Sequence, residues 1–291
     1  MKNRRTRAAI AFLAIALLLN TCIFNFSGCG TSNNNSDLFE YTVELKSVGG
    51  MLLSDIEVFV YADDTNSDLV WRAITDKEGK TSFKTSHSEG CVLVISDIAS
   101  GYDVQQSYPI DPGHNEIVIE TVIRKNRSLS DSEFKLGDII CDFTVTAANG
   151  NEYNVSDLIE EKKAVILNFW FMNCGPCSSE FPYLQQAYEE YNDEIEVLAL
   201  NPVDGTDEKI ALYAEENSLG FPMAAVDPEW QSAVNITAYP TTVIIDRYGM
   251  VSLIHTGSIT EKETFVKLFE YYTSDDYVQS AVRNVSDITE N

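Results

Sequence analysis

Cys174, Gly175, Pro176 and Cys177 place two thiols three positions apart, between an apolar run over residues 164–171 and a stretch patterned as a helix. Cysteines so spaced at a helix start can close a small disulfide, and the unpaired amides of the first helical turn favour the thiolate of the leading one. The chemistry predicted is reversible dithiol–disulfide exchange, with Cys174 as nucleophile and Cys177 as resolving thiol. Zinc binding is a competing use of such a pair. It needs a fuller ligand set, and the chain has no second CxxC and only His87, His114 and His255. A static staple is another competing use, but a bridge over two intervening residues closes too short a loop to add much stability. No metal or other cofactor is called for.

The elements that must hold this pair are legible on both sides of it. Residues 142–146 and 152–155 flank the turn Asn149-Gly150-Asn151 and predict a hairpin. A central strand over 165–171, a helix over 174–192, a strand over 195–200 and a helix over 207–218 follow. Strands over 241–246 and 251–256 meet at Arg247-Tyr248-Gly249-Met250, and a closing helix over 261–272 sets Phe265, Leu268, Phe269 and Tyr272 on one face. Strands crossed by helices and ended by a hairpin predict a three-layer α/β/α domain with a mixed sheet over 134–273. The acidic, polar stretch 274–291 is expected to fray.

Residues 38–125 carry a different pattern, with period two and frequent turn signals. Ile56, Val58 and Val60 alternate along one strand, and residues 70–75 and 81–85 flank the turn Asp76-Lys77-Glu78-Gly79. Further strands are expected over 91–96 and 116–123. This predicts a small all-β sandwich, separated from the α/β domain by a polar linker over 126–133. Cys91, in an apolar strand, is read as a buried thiol in preference to half of a bridge.

The first 28 residues have Lys2, Arg4, Arg5 and Arg7 ahead of an apolar run over 8–19 and no acidic residue, the pattern of an export signal. An uncut signal anchor is the alternative; either puts the remainder outside the cytoplasmic membrane. Phe26-Ser27-Gly28-Cys29 resembles a bacterial lipobox, with Phe26 replacing the usual branched aliphatic residue. That resemblance implies lipidation at Cys29 and a lipid anchor, with residues 29–37 as a flexible tether. The full chain's 20 basic side chains, less the four in the leader, leave 16 against 45 acidic ones, a formal −29. Such a surface is repelled by phosphate backbones and anionic lipid, which argues against nucleic acid as a partner.

Residues 136–143 (LGDIICDF), 167–182 (LNFWFMNCGPCSSEFP) and 238–242 (AYPTT) together resemble the thioredoxin superfamily, and within it the TlpA/ResA-like extracytoplasmic thiol-disulfide oxidoreductases grouped with the AhpC/TSA and redoxin proteins. The resemblance covers about residues 134–273 and implies a thioredoxin-like fold. It implies a cis peptide at Tyr239-Pro240, where a strand edge would face the dithiol, and substrate contact by Tyr239. Glu180 matches an acidic residue of the ResA-like branch, which implies proton transfer with Cys177. A first-turn glutamate also simply suits the helix dipole. The β-rich half is similar to prealbumin-like or immunoglobulin-like modules of bacterial surface proteins, which implies a spacer or binding role.

The chain departs from the family at several positions. Asn168 stands where cytoplasmic thioredoxins place a buried acid, moving the proton shuttle to Glu180. Asn173 replaces the usual tryptophan before the leading cysteine, exposing Cys174 and altering substrate preference, and Ser178-Ser179 replace a commonly basic pair. These changes predict a less acidic Cys174 than in a strong oxidant. Cys141 stands where proline is common and is read as buried, with a bridge to Cys91 as the alternative.

Gly175-Pro176 is the dipeptide of reducing thioredoxins. The resemblance therefore implies a reductant of protein disulfides, fed by a membrane electron donor, with clients among exported proteins including apocytochrome c. The rival readings are a peroxiredoxin-type thiol peroxidase and a surface binding module with an accessory redox domain.

Overall fold

A computed structural model of the chain describes residues 38–96, 98, 101–121, 123 and 134–290. The leader over 1–28, the tether over 29–37 with Cys29, and the linker over 126–133 fall outside these residues. No helix among the described residues is long and apolar enough to cross a membrane.

The N-terminal domain is all-β. Its strands are β1 (Phe39–Ser47), β2 (Glu57–Tyr61), β3 (Leu69–Ile74), β4 (Lys80–Thr85), β5 (Val92–Ser96), β6 (Tyr102–Asp103), β7 (Tyr108–Pro109) and β8 (Gly113–Thr121). They form two four-stranded sheets, ordered β4-β1-β8-β6 and β3-β2-β5-β7, with β1 and β8 parallel. Alternation supplies the core: Tyr41, Val43 and Leu45 of β1, Val58 and Val60 of β2, and Ile117 and Ile119 of β8 are all buried. The turn between β3 and β4 is fixed by Asp76 Oδ1, which accepts from the amides of Glu78 and Lys80 at 3.0 and 2.8 Å, and by Gly79 at φ +67°. Cys91 and Cys141 are both buried, and neither belongs to a disulfide.

The C-terminal domain is mixed α/β. A short hairpin of β9 (Thr144–Thr146) and β10 (Glu152–Asn154) leads into α1 (Val155–Glu161). Then come β11 (Ala164–Phe169), α2 (Gly175–Tyr191), β12 (Ile195–Asn201), α3 (Asp207–Glu216), β13 (Met223–Ala225), α4 (Glu229–Ala233), β14 (Thr241–Asp246), β15 (Val251–Thr256), α5 (Lys262–Thr273) and α6 (Ser286–Thr289). The sheet order is β13-β12-β11-β14-β15, with β11, β12 and β13 parallel and β14 and β15 antiparallel. Period-two alternation on β11 sends Ile166 to the face covered by Phe181 and Leu184 of α2 and Phe265, Leu268 and Phe269 of α5. It sends Leu167 and Phe169 to the other face, under Leu158 of α1 and Trp230 of α4. Every residue of β11 is buried, as a central strand covered on both sides requires.

The two domains share apolar packing. Ile139 and Met250 of the α/β domain are buried within the sandwich's own core cluster. Gly101, at φ +100°, lets Ile139 approach: a β-carbon there would come within 2.3 Å of the isoleucine's Cβ. Thr121 Oγ1 donates to the Tyr248 carbonyl at 2.8 Å, and the Gln279 amide donates to the Gly49 carbonyl at 2.8 Å. Ala164 pairs with Asp246, so the contacted β14–β15 turn lies at the start of β11, whereas Cys174 follows its end. The sandwich is therefore fastened to the pole opposite the cysteine pair.

The fraying expected after residue 273 is not observed. Val282 bridges to Leu253 beside β15, and its amide donates to the Ser252 carbonyl at 2.7 Å. Tyr277 is buried and its hydroxyl donates to Asp246 Oδ2 at 2.9 Å. A few buried anchors hold a segment that is polar elsewhere.

Candidate functional site

Cys174 is the N-cap of α2. Its extended backbone ends the loop from β11, and its Sγ accepts from the Cys177 amide at 3.2 Å. That amide is one of the donors a helix start leaves unpaired, so it is available to a thiolate at Cys174. The hydroxyl of Ser178 donates to the Cys174 carbonyl at 3.1 Å, fixing the cap from the helix side. Cys174 and Cys177 are joined in a disulfide with Cα atoms 5.2 Å apart.

Cys174 was expected to be exposed; in this oxidised state it is only 2 % exposed. Its side chain belongs to the apolar cluster of Trp170 and Phe181, against which Phe171, Met172 and Tyr239 also pack. Asn173, Gly175 and Pro176 around it are exposed. The backbone of the motif meets solvent while the bonded sulfurs turn inward.

Glu180 lies one helical turn beyond Cys177 and is 0 % exposed. Its Oε1 accepts from Asn168 Nδ2 at 2.7 Å, and its Oε2 accepts from the Ile259 amide at 2.7 Å. Burial pushes its pKa from 4.5 to about 7, against the opposing pull of the Ile259 amide and Asn168. A helix-dipole role alone would leave this carboxylate at the surface. Asn168, next on β11, also donates to Thr242 Oγ1 at 3.2 Å on the neighbouring strand, and its Oδ1 has no partner.

The Tyr239–Pro240 peptide is cis. Tyr239 packs edge-on against Phe171, their centroids 5.4 Å apart, which joins this turn to the loop before the cysteines. Thr241 Oγ1 donates to the Ala238 carbonyl at 2.8 Å, and the Pro240 carbonyl accepts from the Gly257 amide at 2.9 Å. The structure thus gathers Cys174, Cys177, Glu180, Tyr239 and Pro240 at one end of the sheet, with Asn173 on the exposed rim.

One element escaped the sequence reading. Asn201, buried at the end of β12, accepts through Oδ1 from the amides of Val203, Asp204 and Gly205 at 3.0, 3.1 and 3.2 Å. This folds the following loop so that Asp204 Oδ1 accepts from the Met172 amide at 3.0 Å, bracing the chain just before Cys174. The available signal was an asparagine ending an apolar strand ahead of Pro202-Val203-Asp204-Gly205, a side-chain-capped turn.

A parallel-cored mixed sheet, a disulfide capping the helix after its central strand and an opposed cis-proline turn define a thioredoxin-fold protein with a redox disulfide. The AhpC/TSA family model matches residues 136–254. The Thioredoxin-like protein YneN of Bacillus subtilis is 32% identical over 129 residues, which cover 44% of this chain and 75% of that protein. The Thiol-disulfide oxidoreductase ResA of Geobacillus kaustophilus is 36% identical over 131 residues, covering 44% and 73%. ResA of Halalkalibacterium halodurans is 27% identical over 184 residues, covering 62% of this chain and 92% of that protein. The chain belongs to the ResA-like thiol-disulfide oxidoreductases. It is an enzyme whose redox-active centre is the Cys174–Cys177 pair.

Proposed function

We propose that this enzyme is tethered to the outer face of the bacterial cytoplasmic membrane through a lipid on Cys29 and reduces disulfides of exported proteins, apocytochrome c belonging to that client class. In the reduced enzyme the Cys174 thiolate, favoured by the Cys177 amide, attacks one sulfur of the client disulfide. A mixed disulfide forms, and the other client sulfur leaves as a thiolate that takes up a proton. Cys177 then gives its S–H proton to the Glu180 carboxylate and attacks Cys174 Sγ. The second client sulfur departs and is protonated, and the enzyme is left with the 174–177 disulfide. Two electrons and two protons have passed to the client, and a membrane electron donor restores the dithiol.

The observation that carries this reading is the buried carboxyl of Glu180, held on two sides one turn from Cys177, with a proton affinity of about 7, near neutral pH. Tyr239 and Pro240 would line the strand edge along which an extended client lies, and Asn173 would meet it from the exposed rim. The sandwich, an immunoglobulin-like or prealbumin-like module in this reading, serves as a rigid spacer. Its fastening to the opposite pole leaves the redox face free.

Client capture tests the assignment. A Cys177→Ala protein expressed in its native envelope should accumulate mixed disulfides through Cys174 to exported, cysteine-bearing proteins. Recovery of adducts with cytoplasmic proteins alone, or of none, would refute it.

A further inference from the structure

The strand-edge turn and the buried carboxyl are joined by three residues. After β15 the chain runs Gly257-Ser258-Ile259. The Gly257 amide donates to the Pro240 carbonyl at 2.9 Å, and the Ile259 amide donates to Glu180 Oε2 at 2.7 Å. One end of this short segment therefore grips the turn proposed to pair with substrate. Its other end grips the group proposed to take the Cys177 proton. Both are backbone donors, so neither can adjust by rotating a side chain: a movement of the Pro240 carbonyl must be absorbed within three residues or passed to Ile259.

Gly257 makes the geometry possible. Its φ is +119°, a region L side chains rarely adopt. A β-carbon at that position would meet nothing nearer than His255 Nε2 at 4.0 Å, so space is available and only the backbone angle demands glycine. Ile259 is buried, which anchors the far end of the segment.

We propose that Gly257 is a positioning residue coupling the Pro240 turn to Glu180, so that a polypeptide docking at the turn alters how tightly Glu180 holds its proton. The inference rests on the reading of Glu180 as the proton acceptor for Cys177. Glu180 bonds to Asn168 of β11, which also donates to Thr242 on β14, and to the Ile259 amide, while Cys177 lies one turn back on its own helix. His255 on β15 pairs with Thr242 and is the remaining titratable side chain in that row; burial lowers its pKa. The Ile259 amide favours the ionised carboxyl, so loosening it raises the pH at which Glu180 ionises.

The experiment follows Glu180 by side-chain 13C NMR across pH in the oxidised full-length protein, with the pH dependence of insulin-disulfide reduction as a second readout. Gly257→Ala should raise the Glu180 midpoint by about one pH unit, the scale of one charge-assisted hydrogen bond, and move the rate profile alkaline by the same amount. Should Gly257→Ala not fold, replacing the Ile259 amide by an ester, which deletes only that N–H, should produce the same shift. A saturating cysteine-free extended peptide should also displace the midpoint in the parent protein but not in Gly257→Ala. A midpoint unmoved by these changes overturns the coupling. If Glu180→Gln leaves the rate profile of the parent unchanged, the proton-acceptor reading itself has failed, which is a separate outcome.

Discussion

Replacing Glu180 by glutamine should stabilise the folded protein while damaging its chemistry. The carboxyl is fully buried, and its pKa rises from 4.5 to about 7 on folding. An acid whose folded pKa is raised binds its proton more tightly when folded. Its contribution to stability is therefore most favourable below pH 4.5, declines as pH rises toward 7, and is a constant penalty above that. At about 1.4 kcal/mol per unit, the penalty at pH 8 reaches about 3 kcal/mol as an upper figure. Glutamine fits the site without a charge. Its oxygen can accept from the Ile259 amide, and its NH2 can donate to Asn168 Oδ1, which lacks a partner beside the carboxylate, once that amide turns over. Urea denaturation of the oxidised protein should show Glu180→Gln more stable than the parent by about 2–3 kcal/mol at pH 8 and nearly equal to it at pH 4. Client reduction at pH 7 should fall by about 100- to 10,000-fold, the range of a lost general acid–base group. A variant no more stable at pH 8, or one whose advantage does not shrink on acidification, would refute the account of this carboxyl.

Other outcomes follow from the domain contact and the terminal segment. Met250→Ala empties a fully buried position shared with the sandwich core and should cost about 2–4 kcal/mol, lowering the thermal midpoint of the whole two-domain unit; loss confined to one domain would contradict the shared packing. Tyr277→Phe removes the hydroxyl that donates to Asp246 Oδ2 at 2.9 Å. Burial raises the Asp246 pKa to about 6, so the lost bond, worth about 1–3 kcal/mol, should be felt at pH 8 and fade by pH 4. Cys29→Ala should release the protein from the membrane fraction and abolish incorporation of labelled fatty acid; an unchanged membrane association would count against lipidation.

Much of this architecture was readable from residue patterns. The alternation and flanking turn of residues 241–256 predict β14 and β15 with the bounds observed, because a hairpin between two apolar runs carries both periodicity and punctuation. Some short elements, α1 and β13 among them, were not readable. α1 spans seven residues with only Val155 and Leu158 buried, and β13 spans three, too few for a period to show. The docking of residues 274–290 and the insertion of Ile139 and Met250 into the sandwich depend on contacts between distant segments, which local pattern does not encode. At the site, the cysteine pair, the proline turn and Glu180 stood out by type and spacing. What Glu180 touches did not: the type of Asn168 shows only that it cannot carry a proton, whereas its place in the structure is as the carboxyl's donor. The inward turn of the Cys174 sulfur likewise follows from packing by Trp170 and Phe181, not from the open character of Asn173 beside it.

The proposed exchange requires Cys174 to attack first and Cys177 to resolve. The most direct measurement is a single-turnover reaction of the reduced protein with a disulfide substrate such as insulin, quenched with acid and mapped by mass spectrometry. Cys177→Ala should accumulate a mixed disulfide at residue 174, and Cys174→Ala should form none at residue 177 on the same timescale. Equal adduct yields at both positions, or substrate reduction by the Cys174→Ala protein, would contradict the mechanism.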